Sequence, residues 1–431
     1  MSKKAKEWER TIPRLYYDQR SGQYFLQLRT GSFLQLATGD AKLHLKESGL
    51  STEEYIGNLN EIEQCFFVAQ TERCVDYAGP LAGYRVGEFL TSDGRRVLVT
   101  SEPKGVFESP AVEPETPQIF LEFLAKLLGT PQQIDAVLHW LKFAAETLRG
   151  SDFRAGQVLA LAGPSGCGKS LLQALVTEFL GGRSAKPYQY MIGKTAFNGD
   201  LAAAEHWSIE DENASTDIRT RRAFGASLKD ATVNRELRVH DKGRRAITLS
   251  TYRRLTLSVN DEPENLAILP PMDHSIMDKV MLLKCLVADV GSDRGKTWSE
   301  LAGDIPRLRA YVTRLVVPEA RRCARYGVRA YHHPDLLEIL SSIAPETRLL
   351  SLIDEVFPWS KLDESWSGTS EQMELELRSS PFAFAVDKLL TFSSAGGTYL
   401  GRLAGQHPKR IHSFKNRGKT IWRIKRPSAE D

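Results

Sequence analysis

Gly163-Pro164-Ser165-Gly166-Cys167-Gly168-Lys169-Ser170 is a complete G-x-x-x-x-G-K-S run. The apolar stretch Val158-Leu159-Ala160-Leu161-Ala162 before it predicts a buried strand. After it, Leu171-Leu172-Gln173-Ala174-Leu175-Val176 opens a helical pattern that stops at Gly181-Gly182. In that context the glycines let main-chain N–H groups close around β- and γ-phosphates, and the helix N-terminus favours an anion. Lys169 is expected to neutralise phosphate charge and the Ser170 hydroxyl to ligate Mg²⁺. All eight loop residues are candidate nucleotide contacts, with ATP and Mg²⁺ as the expected ligands.

At 431 residues the chain has room for two to four domains. Its 42% hydrophobic and 26% charged residues are ordinary for a globular protein. The charged start, Met1 to Trp8, has no apolar stretch behind it and predicts no secretory signal. No run is long enough to span a membrane. Five scattered cysteines without a C-x-x-C pair fit reduced thiols, so a cytoplasmic location is expected. The net charge of +3 is unevenly spread. Eleven Lys or Arg face three acidic residues between Arg219 and Arg254, and nine face two from Gly401 onward. Two basic zones in a nearly neutral chain suit a phosphate backbone.

Along the chain, residues 1–100 read as a β-rich domain: strand, turn and strand over Leu15 to Leu28, with Cys65 to Val68 and Arg96 to Val99 of the same character. Five proline or glycine positions mark a linker at 101–117. Two helices at 118–156 form a collar. Thr130-Pro131-Gln132-Gln133 offers the second an N-cap, a first-turn proline and a capping-box Gln. An ATPase core spans 157–325, with a basic helix predicted over Ile305 to Arg325. Short helices and a linker from Pro358 to Ser370 occupy 326–380. The tail, 381–427, reads as two helices and a hairpin turning at Asn416-Arg417-Gly418, a winged-helix-like arrangement. The fold class is thus α/β: a P-loop core with a parallel sheet, a β-rich domain before it, and a helical segment and winged tail after it.

Hydrolysis needs more than a phosphate cradle. Ser208 to Glu212 ends a short segment with Asp211-Glu212: Asp211 would hold Mg²⁺ through water, and Glu212 would orient and deprotonate the attacking water. Arg254 to Asn260 is a third strand, whose terminal Asn260 can sense the γ-phosphate. Between these strands, alternation on both sides of Asp241-Lys242-Gly243 predicts a hairpin with a basic tip.

Loop, Asp-Glu strand, basic hairpin and Leu257-Ser258-Val259-Asn260 together resemble a superfamily 3 helicase, most nearly the helicase half of phage and plasmid primase-helicases. The resemblance covers residues 115–290. It implies an AAA+ ring ATPase, typically a hexamer, that translocates on DNA. It assigns Gly163, Gly168, Lys169 and Ser170 to the phosphate loop, Asp211 and Glu212 to the acidic strand end, and Asn260 to the sensor. His240, Lys242, Arg244 and Arg245 fall on the hairpin that lines the pore. Where the family has an arginine reaching the neighbouring subunit's ATP, this chain has Lys279, with Arg221, Arg222 and Arg254 as alternatives. In the tail, Thr398 to Arg402 would enter a groove while Lys415, Arg417 and Lys419 touch DNA backbone.

The resulting expectation is a replicative DNA helicase of a mobile element, partnered by DNA, by identical subunits and by a separate primase or initiator. Two alternatives stay open: an ATP-driven assembly switch or initiator that does not unwind, and a small-molecule P-loop enzyme such as a kinase.

Overall fold

The computed structural model describes residues 13–53, 55–107, 115–150, 153–210, 218–272, 275–288, 294–357, 359 and 365–427. They form two units: Met1–Asp261 with His274–His333, and Glu262–Asp273 with Pro334–Asp431.

In the first unit, β1 (Leu15–Asp18) and β2 (Gln23–Gln27) pair antiparallel across the predicted turn. Strand β3 (Phe33–Leu36) flanks β2, and β4 (Cys74–Val75) runs parallel to β1 on its other side. A second sheet joins β5 (Tyr77–Gly79), β6 (Gly87–Leu90) and β7 (Arg96–Val99) in the order β5-β7-β6. The region is less β-rich than its sequence suggests, because it also holds α1 (Thr38–Glu47) and α2 (Glu61–Thr71). Cys65 to Val68, expected as a strand, lies inside α2. Asn60 caps that helix in a reciprocal box with Glu63, and Ile62, Cys65, Val68 and Ala69 bury one helical face.

Helix α3 (Gln118–Leu128) ends at Gly129, whose φ of 69° suits glycine, and α4 (Pro131–Arg149) follows. The expected capping box does not form: Thr130 makes no side-chain cap. Buried Gln133 instead donates to the Leu128 carbonyl (2.6 Å) and the Lys284 carbonyl (3.1 Å), and accepts from the Lys284 amide (2.8 Å). The last carbonyl of α3 and the carbonyl and amide at the end of β14 outcompete the terminus of α4 for that side chain.

The central sheet is wholly parallel. Its strands are β8 (Val158–Ala162), β9 (Ser184–Ala185), β10 (His206–Glu210), β13 (Arg254–Val259) and β14 (Val280–Lys284), in the order β9-β10-β13-β8-β14. Helix α5 (Lys169–Phe179) follows β8, α6 (Gly199–Ala203) precedes β10, and α7 (Ile218–Val233) follows it. The hairpin β11 (Glu236–Val239) and β12 (Ile247–Ser250) is inserted between α7 and β13. Every residue of β8 and β13 is buried, as a sheet covered on both faces requires.

Strand β10 is polar in sequence yet sits second in that sheet. Its His206 is fully buried, with Nδ1 2.7 Å from Thr177 Oγ1 and Nε2 2.8 Å from Thr256 Oγ1. Gln173 of α5 donates to the same Thr256 hydroxyl (2.8 Å) and to the Ile209 carbonyl (3.1 Å). Satisfied in this way, the polar groups are tolerated inside. Burial, and secondarily the Lys186 cation, lowers the His206 pKa to about 3, so the ring is neutral.

Helix α8 (Ile305–Arg314) stops eleven residues short of the expected Arg325. Pro318 disfavours helix at the residue before it, and the chain turns into a short hairpin, Arg322–Cys323 with Gly327–Val328.

The second unit packs α9 (Pro334–Ser342), α10 (Pro345–Val356), α11 (Ser370–Arg378), α12 (Ala383–Leu389) and α13 (Ala395–Gln406) with an antiparallel sheet. Strand β17 (Lys419–Lys425) is central there, between β15 (Ser365–Gly368) and β16 (Ile411–Asn416). Strand β15 falls within the predicted linker. Gly368, Ser367 and Trp366 register against Trp422, Arg423 and Ile424. One core joins α10, α11 and the tail: Leu349, Ile353, Met373, Leu377, Leu400 and Ile424 are buried together.

Candidate functional site

The glycine-rich loop Gly163 to Ser170 leaves β8 at the carboxyl edge of the sheet, next to the end of β13, where the Gly163 amide donates to Val259 O (3.3 Å). A crevice at that edge, beside a strand whose sequence neighbours lie elsewhere in the sheet, is where ligands bind in open α/β folds. Gly166 and Gly168 have φ of 73° and 114°, and a side chain at Gly163 would stand 2.4 Å from the Cys285 carbonyl. The loop therefore fits its place only with glycine there, and its exposed Pro164, Ser165 and Gly166 open to solvent above the first turn of α5. That geometry fits a triphosphate.

Lys169 is buried at the start of α5. Its ammonium donates to the Gly163 carbonyl (2.6 Å), the Pro164 carbonyl (2.8 Å) and Asn260 Oδ1 (3.3 Å). Lys169 and Asn260 thus meet at one point. Ser170 is exposed beside them. Cys167, buried beneath the loop, shares a hydrogen bond with Cys285 beyond β14. That bond, aided by the Lys169 cation against burial, lowers the Cys167 pKa to about 6, while Cys285 is pushed well up.

Strand β10 ends at Glu210, opposite Ser258 of β13, and Glu210 pairs with Lys186. Asp211 and Glu212 lie outside the described residues. No cluster of three or more His, Cys, Asp or Glu side chains among the described residues is placed to hold a metal ion.

Lys279 precedes β14 at the opposite, amino edge of the sheet. It is 8% exposed, with Nζ 2.7 Å from Asp278 Oδ1. Arg325 reaches the other oxygen of Asp278 (3.2 Å) from a more exposed position. Of the alternatives, Arg254 is buried, donating to the carbonyls of Arg154 (3.1 Å) and Arg253 (2.9 Å) and lying over the Tyr252 ring. Arg221 is half-buried on α7, and the side chain of Arg222 lies outside those described.

On the hairpin, Leu237, Val239, Ile247 and Leu249 face inward, while the tip turns through Asp241-Lys242-Gly243-Arg244 with Gly243 at φ 75°. Lys242 and Arg245 are exposed, and Arg244 and His240 half-buried. Asn198 clamps the β11 strand of the hairpin beside its tip. It exchanges hydrogen bonds with the His240 main chain in both directions (3.1 and 2.8 Å) and donates to the Arg238 carbonyl (2.9 Å). Neither this clamp nor the His206 network has a sequence signature, since each joins segments dozens of residues apart.

In the second unit the β16–β17 turn holds Arg417 at φ 46° and Gly418 at φ 81°, presenting exposed Lys415, Arg417 and Lys419. The expected groove-entering run is divided. Tyr399 and Leu400 are core residues, and Arg402 reaches Glu346 Oε2 (3.2 Å), leaving Thr398, Gly401 and Arg402 outward. Among the described residues no helix is long and apolar enough to cross a membrane.

No protein-family model matches the chain, and no curated protein matches it. Among solved structures it is similar to the apo C-terminal region of NrS-1, with a TM-score of 0.60 at 13% identity over 98% of each chain. The A form of that apo region gives 0.57, again at 13% identity over 98% of each. These likenesses show a shared fold. JCV helicase, with a bound acetamide compound, aligns over 67% of each chain at 12% identity and a TM-score of 0.27, too low to bear on the fold.

Proposed function

We propose that the chain is an ATP-dependent DNA motor of the superfamily 3 helicase type, a ring of identical subunits that grips single-stranded DNA with its basic hairpins. The observation that carries this reading is the meeting of Lys169 with Asn260 at one sheet edge, in a chain whose basic hairpin is inserted just before the strand that ends at that asparagine. ATP supplies the phosphoryl chemistry when bound. Lys169 and the loop amides bind its β- and γ-phosphates, and Ser170, with Asp211, holds Mg²⁺. Glu212 takes the proton of the attacking water, and Asn260 reports the γ-phosphate to β13. Contacts from His240, Lys242, Arg244 and Arg245 to phosphates are independent of sequence, which suits translocation. Lys415, Arg417 and Lys419 give the second unit its own backbone contacts. On this reading the protein is a replicative helicase of a mobile element, hexameric and cytoplasmic, served by a separate primase or initiator.

One observation favours the rival reading of an ATP-dependent assembly switch. Lys279, the residue expected to reach the neighbouring nucleotide, is buried against Asp278. ATP hydrolysis with and without single-stranded DNA separates the two. A motor shows DNA-stimulated turnover that Lys169→Ala abolishes, and Lys242→Ala with Arg244→Ala removes the stimulation. A rate indifferent to DNA leaves the switch.

A further inference from the structure

Asp241 is the one carboxylate in a hairpin tip otherwise built from His240, Lys242, Arg244 and Arg245. A carboxylate there would draw a basic neighbour away from nucleic acid, and Arg244, three residues on, is the neighbour within reach. The two do approach, but Arg244 Nη1 stands 3.9 Å from Asp241 Oδ2. That same oxygen is held at 2.5 Å by Nη2 of Arg20, from the β1–β2 turn of the N-terminal region.

Arg20 is also held from its own side of the contact. Its side chain is 4% exposed and lies over the Tyr77 ring, 5.0 Å from the centroid. Asp18 organises its turn, accepting from the Arg20 amide (3.0 Å) and the Ser21 hydroxyl (2.5 Å). Its Nε and Nη1 have no hydrogen-bond partner, so Asp241 is the only one its side chain has among the described residues. A buried guanidinium with a single counter-ion holds that ion strongly, because losing it would strand a charge. On the other side Asp241 Oδ1 is pressed against Gly199, where a Cβ would stand 1.6 Å away.

We infer that Arg20 is a positioning residue for the hairpin: by claiming Asp241 Oδ2, the N-terminal region keeps the Arg244 guanidinium available to a nucleic-acid phosphate. Without Arg20, Asp241 is free to pair with Arg244, and the tip loses one phosphate contact. The inference rests on the hairpin being the nucleic-acid grip proposed above. It gives the N-terminal region a role in DNA engagement without contacting DNA.

The test is the salt dependence of oligothymidylate binding by the full chain, because its logarithmic slope reflects the number of phosphates neutralised. Arg20→Met should weaken binding roughly five- to ten-fold and flatten the slope by about 0.7, the equivalent of one single-strand contact. Asp241→Asn alone should keep the wild-type slope, and adding it to Arg20→Met should restore that slope, which a general packing defect would not allow. Should Arg20→Met fail to fold, Gly199→Ala displaces the carboxylate without touching Arg20 and should flatten the slope equally. An unchanged slope in Arg20→Met, or a double variant as flat as the single, overturns the inference. If Lys242→Ala also leaves the slope unchanged, the hairpin reading itself falls and takes this inference with it.

Discussion

The Lys169 ammonium lies 3.3 Å from Asn260 Oδ1, although 91 residues separate the two in sequence. The contact lies just beyond the paired ends of β8 and β13, where Ala162 registers with Val259, and substitution of each partner tests its own role. Lys169→Ala should remove both ATP affinity and turnover. Asn260→Ala should lower kcat about 10²-fold with little change in KM, as expected for a group that matters mainly in the transition state. Steady-state kinetics on the two variants checks this. A KM rise matching the kcat loss would make Asn260 a plain binding residue.

Gly163→Ala is predicted to damage the loop without altering its charge. The new methyl would sit 2.4 Å from a main-chain oxygen, that of Cys285, which cannot swing aside as a side-chain tip can. Overpacking of this kind costs about 1–3 kcal/mol, so the urea midpoint should fall together with ATP binding. Gly166→Ala, where a Cβ meets nothing within 4 Å, carries only the strain of its positive φ and should destabilise less.

His206 sets an acid limit. Its folded pKa of about 3 lies below the ordinary 6.5, so below pH 6.5 the unfolded chain takes up a proton that the folded chain refuses. Stability attributable to this ring is complete above pH 6.5 and lost as pH falls toward 3, about 2 kcal/mol of it by pH 5. Urea unfolding at pH 7.5 and pH 5 should show that slope in the wild type, and His206→Gln should remove it.

Lys279→Ala distinguishes a role across subunits from a local one. Acting across the interface, the variant would still bind ATP but lose turnover, and would depress the rate when mixed with wild type. A local role predicts a lowered melting temperature and no effect on wild-type subunits in the mixture.

Much of the framework of the candidate site was legible because its signals are local. The glycine-rich loop, the hairpin alternation and the strand running up to Asn260 each occupy a single short stretch with its own periodicity or glycine placement. Illegible features were those in which a distant partner overrode local preference. The run Cys65 to Val68 reads as strand until Asn60 and Glu63 are seen capping a helix. Gln133 looks like a capping residue until the end of β14 claims it. Polar His206 weakens the strand pattern until Thr177 and Thr256 satisfy it. The Arg20–Asp241 pair spans 221 positions, and nothing in either segment announces the other.

The order of strands in the parallel sheet also bears on how the chain is made. Among the described residues strand β8 pairs with β13 and β14, both encoded later, and its second neighbour is complete at Lys284. At a synthesis rate of about 5–20 residues per second, Val158 to Ala162 waits roughly 6–25 seconds for both partners. Until β13 is made, an apolar five-residue segment stands with both edges open, and until β14 follows with one, a form prone to pairing with other chains. Cultures grown at lower temperature, or with added chaperone, should therefore yield more soluble protein. A ribosome-bound fragment ending before β13 should be the species that chaperones retain.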